Sequence, residues 1–274
     1  NIYEMSVNVS ESEEDERHKS GIFYTPRIEI DFMLRRSIVE FLYNKTQIGK
    51  LKLYEFVFPE IDEQKITKFS AEEAKRIYDV LDSITIVDPA CGSGHYLIVA
   101  VQIIFELKKE LWHQLGNSEE SFEGFEQKVK IIESSIFGVD IKKWATEIAK
   151  LRLWLELIVE AKDEQLYQHE KALLPSLSFK IRVGDSLVQE IGGIFFSPRE
   201  IKGIPQSLVA LKNQVIKAKK DFFYGRQDTE ESEVKSKEIQ FFRELLKKRA
   251  GELREEIRKL ESSLDRKSEQ ITLF

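Results

Sequence analysis

Thr85-Ile86-Val87-Asp88-Pro89-Ala90-Cys91-Gly92-Ser93-Gly94 decides the fold of this chain. Thr85, Ile86 and Val87 are β-branched and supply a strand, and His95 onward opens an apolar helix. Between them lies an acidic residue and a loop of small residues. Gly92 and Gly94 let the backbone approach a ligand where a Cβ would collide. A strand, a glycine loop and a helix in that order make a nucleoside-cofactor loop at the carboxyl end of the first strand.

The residues around the glycines narrow the ligand. A phosphate-cradling P-loop needs Lys-Ser or Lys-Thr after its last glycine, and here His95 and Tyr96 follow. The dinucleotide fingerprint needs a third glycine where Leu97 stands, and Asp88 would repel a pyrophosphate. A carboxylate at a strand end suits a cationic ligand instead. S-adenosylmethionine carries both an ammonium and a sulfonium.

Asp88 to Leu97 resembles the S-adenosylmethionine loop of DNA adenine-N6 methyltransferases, in the branch of type I modification subunits and combined restriction-modification enzymes. Three further segments resemble that family in the same order. Gly21-Ile22-Phe23-Tyr24-Thr25-Pro26 is similar to the segment that closes over the methionine end of the cofactor. Phe137-Gly138-Val139-Asp140-Ile141 is similar to the second-strand acidic motif, followed by a helix carrying Ala149-Lys150-Leu151-Arg152-Leu153-Trp154. Arg182-Val183-Gly184-Asp185-Ser186-Leu187 is similar to the third-strand motif. The resemblance covers about residues 20 to 190. It implies S-adenosylmethionine as cofactor, held by Tyr24, Thr25, Pro26, Asp88, Pro89, Ala90, Gly92, Ser93, Gly94, Asp140, Ile141, Asp185 and Ser186.

The same residues have readings of their own. Thr25-Pro26 is a helix start, a hydroxyl N-cap followed by proline at the first helical position, and its free N–H groups either face a carboxylate or simply begin a helix. Phe23 and Tyr24 fit a hydrophobic core equally well. Asp140 ends a strand over 135–139, where it accepts from ribose hydroxyls or caps the helix starting at Lys142. It lies farther from the glycines than the roughly 20 residues usual for a ribose carboxylate, so 105–133 reads as inserted helix. Asp185 follows the alternating Phe179, Ile181, Val183 and either accepts from an adenine amine or makes a Gly-Asp-Ser turn. Cys91 reads as a small packing residue rather than a nucleophile, and His95 as a polar cap rather than a base.

Exocyclic-amine methylation needs a proton acceptor and an aromatic ring for the extruded base. The family supplies them with an Asn- or Asp-Pro-Pro-aromatic motif, and none of the six prolines here adjoins another. The expectation is therefore the cofactor-binding part of a DNA adenine-N6 methyltransferase from a restriction-modification or phage-defence system. The catalytic tetrapeptide would lie past residue 274, this chain alone would be inactive, and no residue here is assigned as catalytic. The second reading is a non-catalytic module that docks a partner in a split or multi-subunit enzyme.

Ahead of the loop, 1–20 is an acidic lead-in, Arg27 to Tyr43 an amphipathic helix and Lys45 to Lys68 a mixed connection. Ser70-Ala71-Glu72-Glu73 is a capping box opening a helix to about Asp82. Strand 84–88, helix 95–115, helix 122–133, strand 135–139, helix 142–161 and strand 179–183 predict a doubly wound, Rossmann-like α/β sheet, cut short before its fourth strand. Past Pro205, Leu208, Leu211, Val215, Ala218 and Phe222 step by three and four. So do Ile239, Phe242, Leu246, Ala250, Leu253, Ile257, Leu260 and Leu264. This predicts an antiparallel helical hairpin with those residues as its seam. The organisation is a lead-in 1–20, a cofactor subdomain 21–195 and a coiled appendage 196–274, with 206–266 able to take a protein partner.

A net charge of −6 argues against a self-sufficient DNA binder, so DNA contact falls mostly to parts absent here. A single cysteine excludes an internal disulfide and, with no apolar span or signal pattern, predicts a cytoplasmic setting without membrane or metal.

Overall fold

The computed structural model describes residues 25–58, 67–161, 174–188, 190–191, 194–195, 205–226 and 229–272. The lead-in 1–20 and Tyr24 lie outside them.

Two compact units divide the chain, the first comprising residues 1–163 and 180–184, the second 164–179 and 185–274. In the first unit, α1 (Arg27–Thr46), α2 (Lys50–Val57) and α3 (Ala71–Leu81) precede β1 (Ile86–Asp88). Then come α4 (His95–Gln114), α5 (Gly124–Ser135), β2 (Ile136–Asp140), α6 (Lys143–Ile158) and β3 (Ile181–Val183). The sheet is parallel in the order β1-β2-β3, with Asp88 beside Gly138 and Asp140 beside Val183.

Helices α4, α5 and α6 of the two crossovers pack against one another on one face of the sheet. The core lies on that face, where Leu97 and Ile104 of α4, Ile132 of α5, Ala149 and Leu153 of α6, and Ile136 and Ile181 of the strands are all fully buried. Gly138 sits at its centre. A Cβ there would lie 2.7 Å from Leu97 Cδ1 and 3.0 Å from both Cys91 Sγ and Ile181 Cδ1, so the missing side chain lets helix and loop close on the sheet. The opposite face is bare by comparison, with Val87 61% exposed. The described strands thus form a singly wound half. The reversal of strand order that defines double winding is not present among the described residues.

Charges inside the first unit are paired. Lys108 is fully buried, with Nζ 2.5 Å from Asp82 Oδ1 and 4.5 Å from the Tyr78 ring centroid, while Lys130 takes the other oxygen of Asp82 at 2.7 Å. Lys128 reaches Glu156 at 2.6 Å and Glu160 at 3.1 Å. The Ser70 capping box is complete: Glu73 N–H donates to Ser70 Oγ and Ser70 N–H to Glu73 Oε2.

Three local expectations are corrected. The stretch Lys45 to Lys68 contains the helix α2, whose Leu53, Phe56 and Val57 are buried; at eight residues it is too short to show a clear period. Helix α1 starts at Arg27 as its pattern placed it, but Thr25 is not its cap and Pro26 is not its first helical residue. Pro26, with ψ at 146°, is its N-cap, and no side chain caps it.

The third correction concerns the second unit, where β4 (Glu190–Ile191) and β5 (Ile194–Phe195) make a short antiparallel pair, followed by α7 (Gln206–Phe223) and α8 (Glu231–Thr272). Leu208 packs with Leu245, Lys219 pairs with Glu238 at 2.6 Å, and Ala218 clusters with Val234 and Phe179, so the two helices run in opposite directions. Helix α7 turns in the expected residues. Helix α8 does not: its inward stripe is Val234, Glu238, Phe241 and Leu245, whereas Ile239, Phe242, Ile257 and Leu260 are 51, 42, 54 and 63% exposed. Val234, with Phe179 and Ala218 to meet, wins the inside, and Glu238 follows it inward because Lys219 neutralises it.

Candidate functional site

Asp88 and Asp140 are the last residues of neighbouring parallel strands, so their side chains stand at one edge of the sheet. A hollow of about 700 Å³ opens there. Its floor is the loop Asp88 to Ser93, its walls are the first turns of α4 (His95, Tyr96) and α6 (Trp144, Ala145) with Asp140 to Lys142, and its roof is Thr25, Ile30 and Met33 of the α1 segment.

Each loop residue is held by a specific bond. Asp88 Oδ1 accepts from Ala90 N–H at 3.1 Å, and Cys91 N–H donates to Val139 O at 2.9 Å, continuing the sheet into the loop. Asp140 Oδ2 accepts from Gly92 N–H and its Oδ1 from Lys142 N–H, both at 2.8 Å. One carboxylate therefore joins the loop after β1 to the turn before α6. Gly94 has φ +81°, and a Cβ on it would come 2.8 Å from Ala149 Cβ. Arg152, one turn along α6, donates to both Ser93 O and Ser93 Oγ at 3.2 Å. The run Ala149 to Trp154 thus backs the loop with a small residue and a guanidinium.

Burial, reinforced by the nearby Asp140, raises the Asp88 carboxyl above its ordinary range. Burial also raises the Tyr96 hydroxyl, with Asp88 adding to it. The Cys91 thiol is pushed up to about 12 by burial and by both carboxylates, so it is inert as a nucleophile at neutral pH and packs against the sheet.

Of the expected site residues, Thr25, Asp88, Pro89, Ala90, Gly92, Ser93, Asp140 and Ile141 line the hollow together. Gly94 lies behind it as the N-cap of α4, and Pro26 begins α1 beside Thr25. Asp185 and Ser186 belong to the second unit and are not in this lining. Asp185 Oδ1 accepts from Leu187 N–H at 2.9 Å, the turn chemistry that was one of its two readings. Met33, Trp144 and Arg152 were not singled out in the sequence. Trp144 and Arg152 stood inside quoted or adjacent segments, and their positions four and twelve residues past Asp140, about one and three helical turns, were the available signal.

A parallel sheet with carboxylates at adjacent strand ends and a glycine loop before α4 is a methyltransferase-like α/β arrangement. Residues 63–190 match the family described as MmeI, DNA-methyltransferase domain. A putative type II restriction enzyme and methyltransferase, RM.MjaORFECS2P of Methanocaldococcus jannaschii, is 34% identical over 193 residues, 68% of this chain and 16% of that protein. The adenine-specific methyltransferases PglX of Lacticaseibacillus casei and Streptomyces coelicolor are 27% and 28% identical over 50% and 48% of this chain, and 10% of each of those proteins. The chain therefore spans a small fraction of the length of the curated relatives it matches. No solved structure matches it. Among the described residues no helix is long and apolar enough to cross a membrane, and no group of His, Cys, Asp and Glu is arranged to hold a metal.

Proposed function

We propose that this chain is the S-adenosylmethionine-binding part of a DNA adenine-N6 methyltransferase of a restriction-modification or phage-defence system. The observation that carries the reading is the pair Asp88 and Asp140 at neighbouring strand ends, facing one hollow of about 700 Å³. Two carboxylates favour a ligand with cationic groups and hydroxyls to donate. The cofactor's ribose hydroxyls would donate to Asp140, whose oxygens each use one acceptor site on the backbone and keep another free. Its ammonium would be drawn to Asp88, its adenine would rest on Ile141 and Trp144, and Thr25 and Pro26 would border the methionine end.

In the parent enzyme the methyl would pass directly from sulfonium to the N6 nitrogen of an adenine flipped out of DNA. The bound cofactor would supply the methyl and leave as a neutral thioether, and the N6 proton would pass to an acceptor outside this chain. DNA is thus a partner mainly of the rest of the parent. The bare face of the sheet, with Val87, Phe137 and Val139, supports completion of a doubly wound core by further strands and helices. In this reading 21–195 is the cofactor subdomain and 196–274 a coiled helical hairpin. The test is equilibrium binding of S-adenosylmethionine followed by tryptophan fluorescence, since Trp144 lines the hollow. Binding that leaves the fluorescence and the affinity of Asp140→Ala untouched would place the cofactor elsewhere.

A further inference from the structure

The side of α8 that faces away from α7 carries a row of cations. Val234, Glu238, Phe241 and Leu245 give the inward direction of the helix. Rotation of about 100° per residue then puts Ser236, Gln240, Arg243, Lys247, Arg254 and Arg258 within about 50° of the opposite direction. All six are exposed. Ser236, Gln240, Arg243 and Lys247 also border one surface hollow, so their common face does not rest on rotation alone.

From Ser236 to Arg258 the sequence holds seven cations and five carboxylates, and they are not mixed evenly round the helix. Four of the cations stand in the outer row. Glu238, Glu244, Glu252, Glu255 and Glu256 all fall about 90° or more from its direction. Lys247 is paired with Glu244 at 2.7 Å, whereas Arg243, Arg254 and Arg258 have no carboxylate partner among the described residues. A chain whose net charge is −6 thus presents a local field of the opposite sign. The row is straight and about 22 Å long from Arg243 to Arg258, at about 1.5 Å per residue. Every side chain in it offers a hydrogen-bond donor, and none is apolar. A partner protein or a bilayer surface needs apolar anchors among the charges. Phosphate needs none: arginine donates to it in pairs, and Ser and Gln are among its ordinary neutral partners. Duplex DNA carries a negative charge about every 1.7 Å of its axis, so a row of this length meets several phosphates at once.

We propose that the outer row of α8 grips the phosphate backbone of duplex DNA without reading its sequence, adding hold to a parent whose base-reading surface lies elsewhere. The choice of DNA as the polyanion rests on the proposed function. The row itself lies wholly within α8 and does not depend on the cofactor hollow.

The test follows the anisotropy of a fluorescein-labelled duplex of about 30 base pairs on titration with the full chain at about 50 mM salt, where phosphate contacts are strong. Arg243→Glu, Arg254→Glu and Arg258→Glu combined are expected to weaken binding at least thirtyfold, with circular dichroism checking that the helices remain. Arg36→Glu, Lys45→Glu and Arg76→Glu combined reverse three exposed cations of the first unit and change the net charge equally; they are expected to weaken it less than threefold. The parent's affinity falls as salt rises, and the row variant shows a shallower slope. No binding of the duplex by the parent, equal losses in the two triple variants, or a row variant that binds like the parent overturns the proposal. So does binding to an RNA duplex or to phosphatidylserine vesicles that is tighter than to DNA and lost in the row variant. Titration of S-adenosylmethionine into the same proteins separates the two readings. The row variant keeps the parent's cofactor affinity, and a parent that binds no cofactor while holding DNA through the row would overturn the cofactor reading alone.

Discussion

The Asp140 carboxylate accepts a hydrogen bond from the Gly92 N–H at 2.8 Å, across 48 residues of chain, while its other oxygen accepts from Lys142 N–H. The residue proposed to bind ribose is thus also the tether of the glycine loop. Asp140→Ala is expected to lower S-adenosylmethionine affinity more than thirtyfold and to loosen the loop, giving faster hydrogen exchange at Gly92. Asp140→Asn keeps one acceptor oxygen and is expected to fall between, as calorimetry and exchange would report.

The two loop glycines are not equivalent. Both have positive φ, but a Cβ on Gly92 meets nothing within 4 Å, whereas one on Gly94 meets Ala149 Cβ at 2.8 Å. Gly92→Ala is expected to cost about 1 kcal/mol from backbone conformation alone, and Gly94→Ala about 2–4 kcal/mol with the added overlap. Chemical denaturation should rank them in that order; equal losses would contradict the packing of α6 on the loop.

Asp88 is held above its ordinary range by burial and by Asp140, so the folded chain binds its proton more tightly than the unfolded chain. Stability then falls as pH rises from the unfolded carboxylate value, near 4, to the raised folded value, and stays lower above it. Asp88→Asn is expected to raise the melting temperature at neutral pH while weakening cofactor binding. Each ~1 kcal/mol of relief corresponds to about 2–4 °C for a chain of this size. Melting curves from pH 4 to 8 check the sign.

Lys108 is fully buried against Asp82, whose carboxyl, raised by burial, is brought below its ordinary range by Lys108 and Lys130. Asp82→Ala strands an ammonium in the core beside a second cation and is expected to cost about 3 kcal/mol or more. Lys108→Met, which removes the buried charge and keeps much of the volume, is expected to cost far less. Urea unfolding of both variants distinguishes a buried ion pair from a merely exposed one.

Strand, loop and helix around Asp88 were legible because Thr85 to Val87, the two glycines and the apolar run from His95 each carry local conformational preference. The capping box at Ser70 was legible for the same reason. The inward face of α8 was not, because Ile239 and Phe242 have the right spacing for a seam, while the true seam contains Glu238, which is tolerated there only through Lys219. Arg152 as a loop brace was not legible either, since its partner Ser93 is 59 residues away and the contact exists only once α6 is packed. The carboxylates at 88 and 140 were found by position at strand ends. Their joint lining of one hollow needed the parallel register that sets Asp88 beside Gly138.

Isothermal titration of S-adenosylmethionine into this chain and into Asp88→Ala tests the central claim most directly. Saturable binding at one site in the parent, weakened at least tenfold in Asp88→Ala, is the expected result. Heat indistinguishable from buffer in the parent, or equal affinity in both, would contradict it.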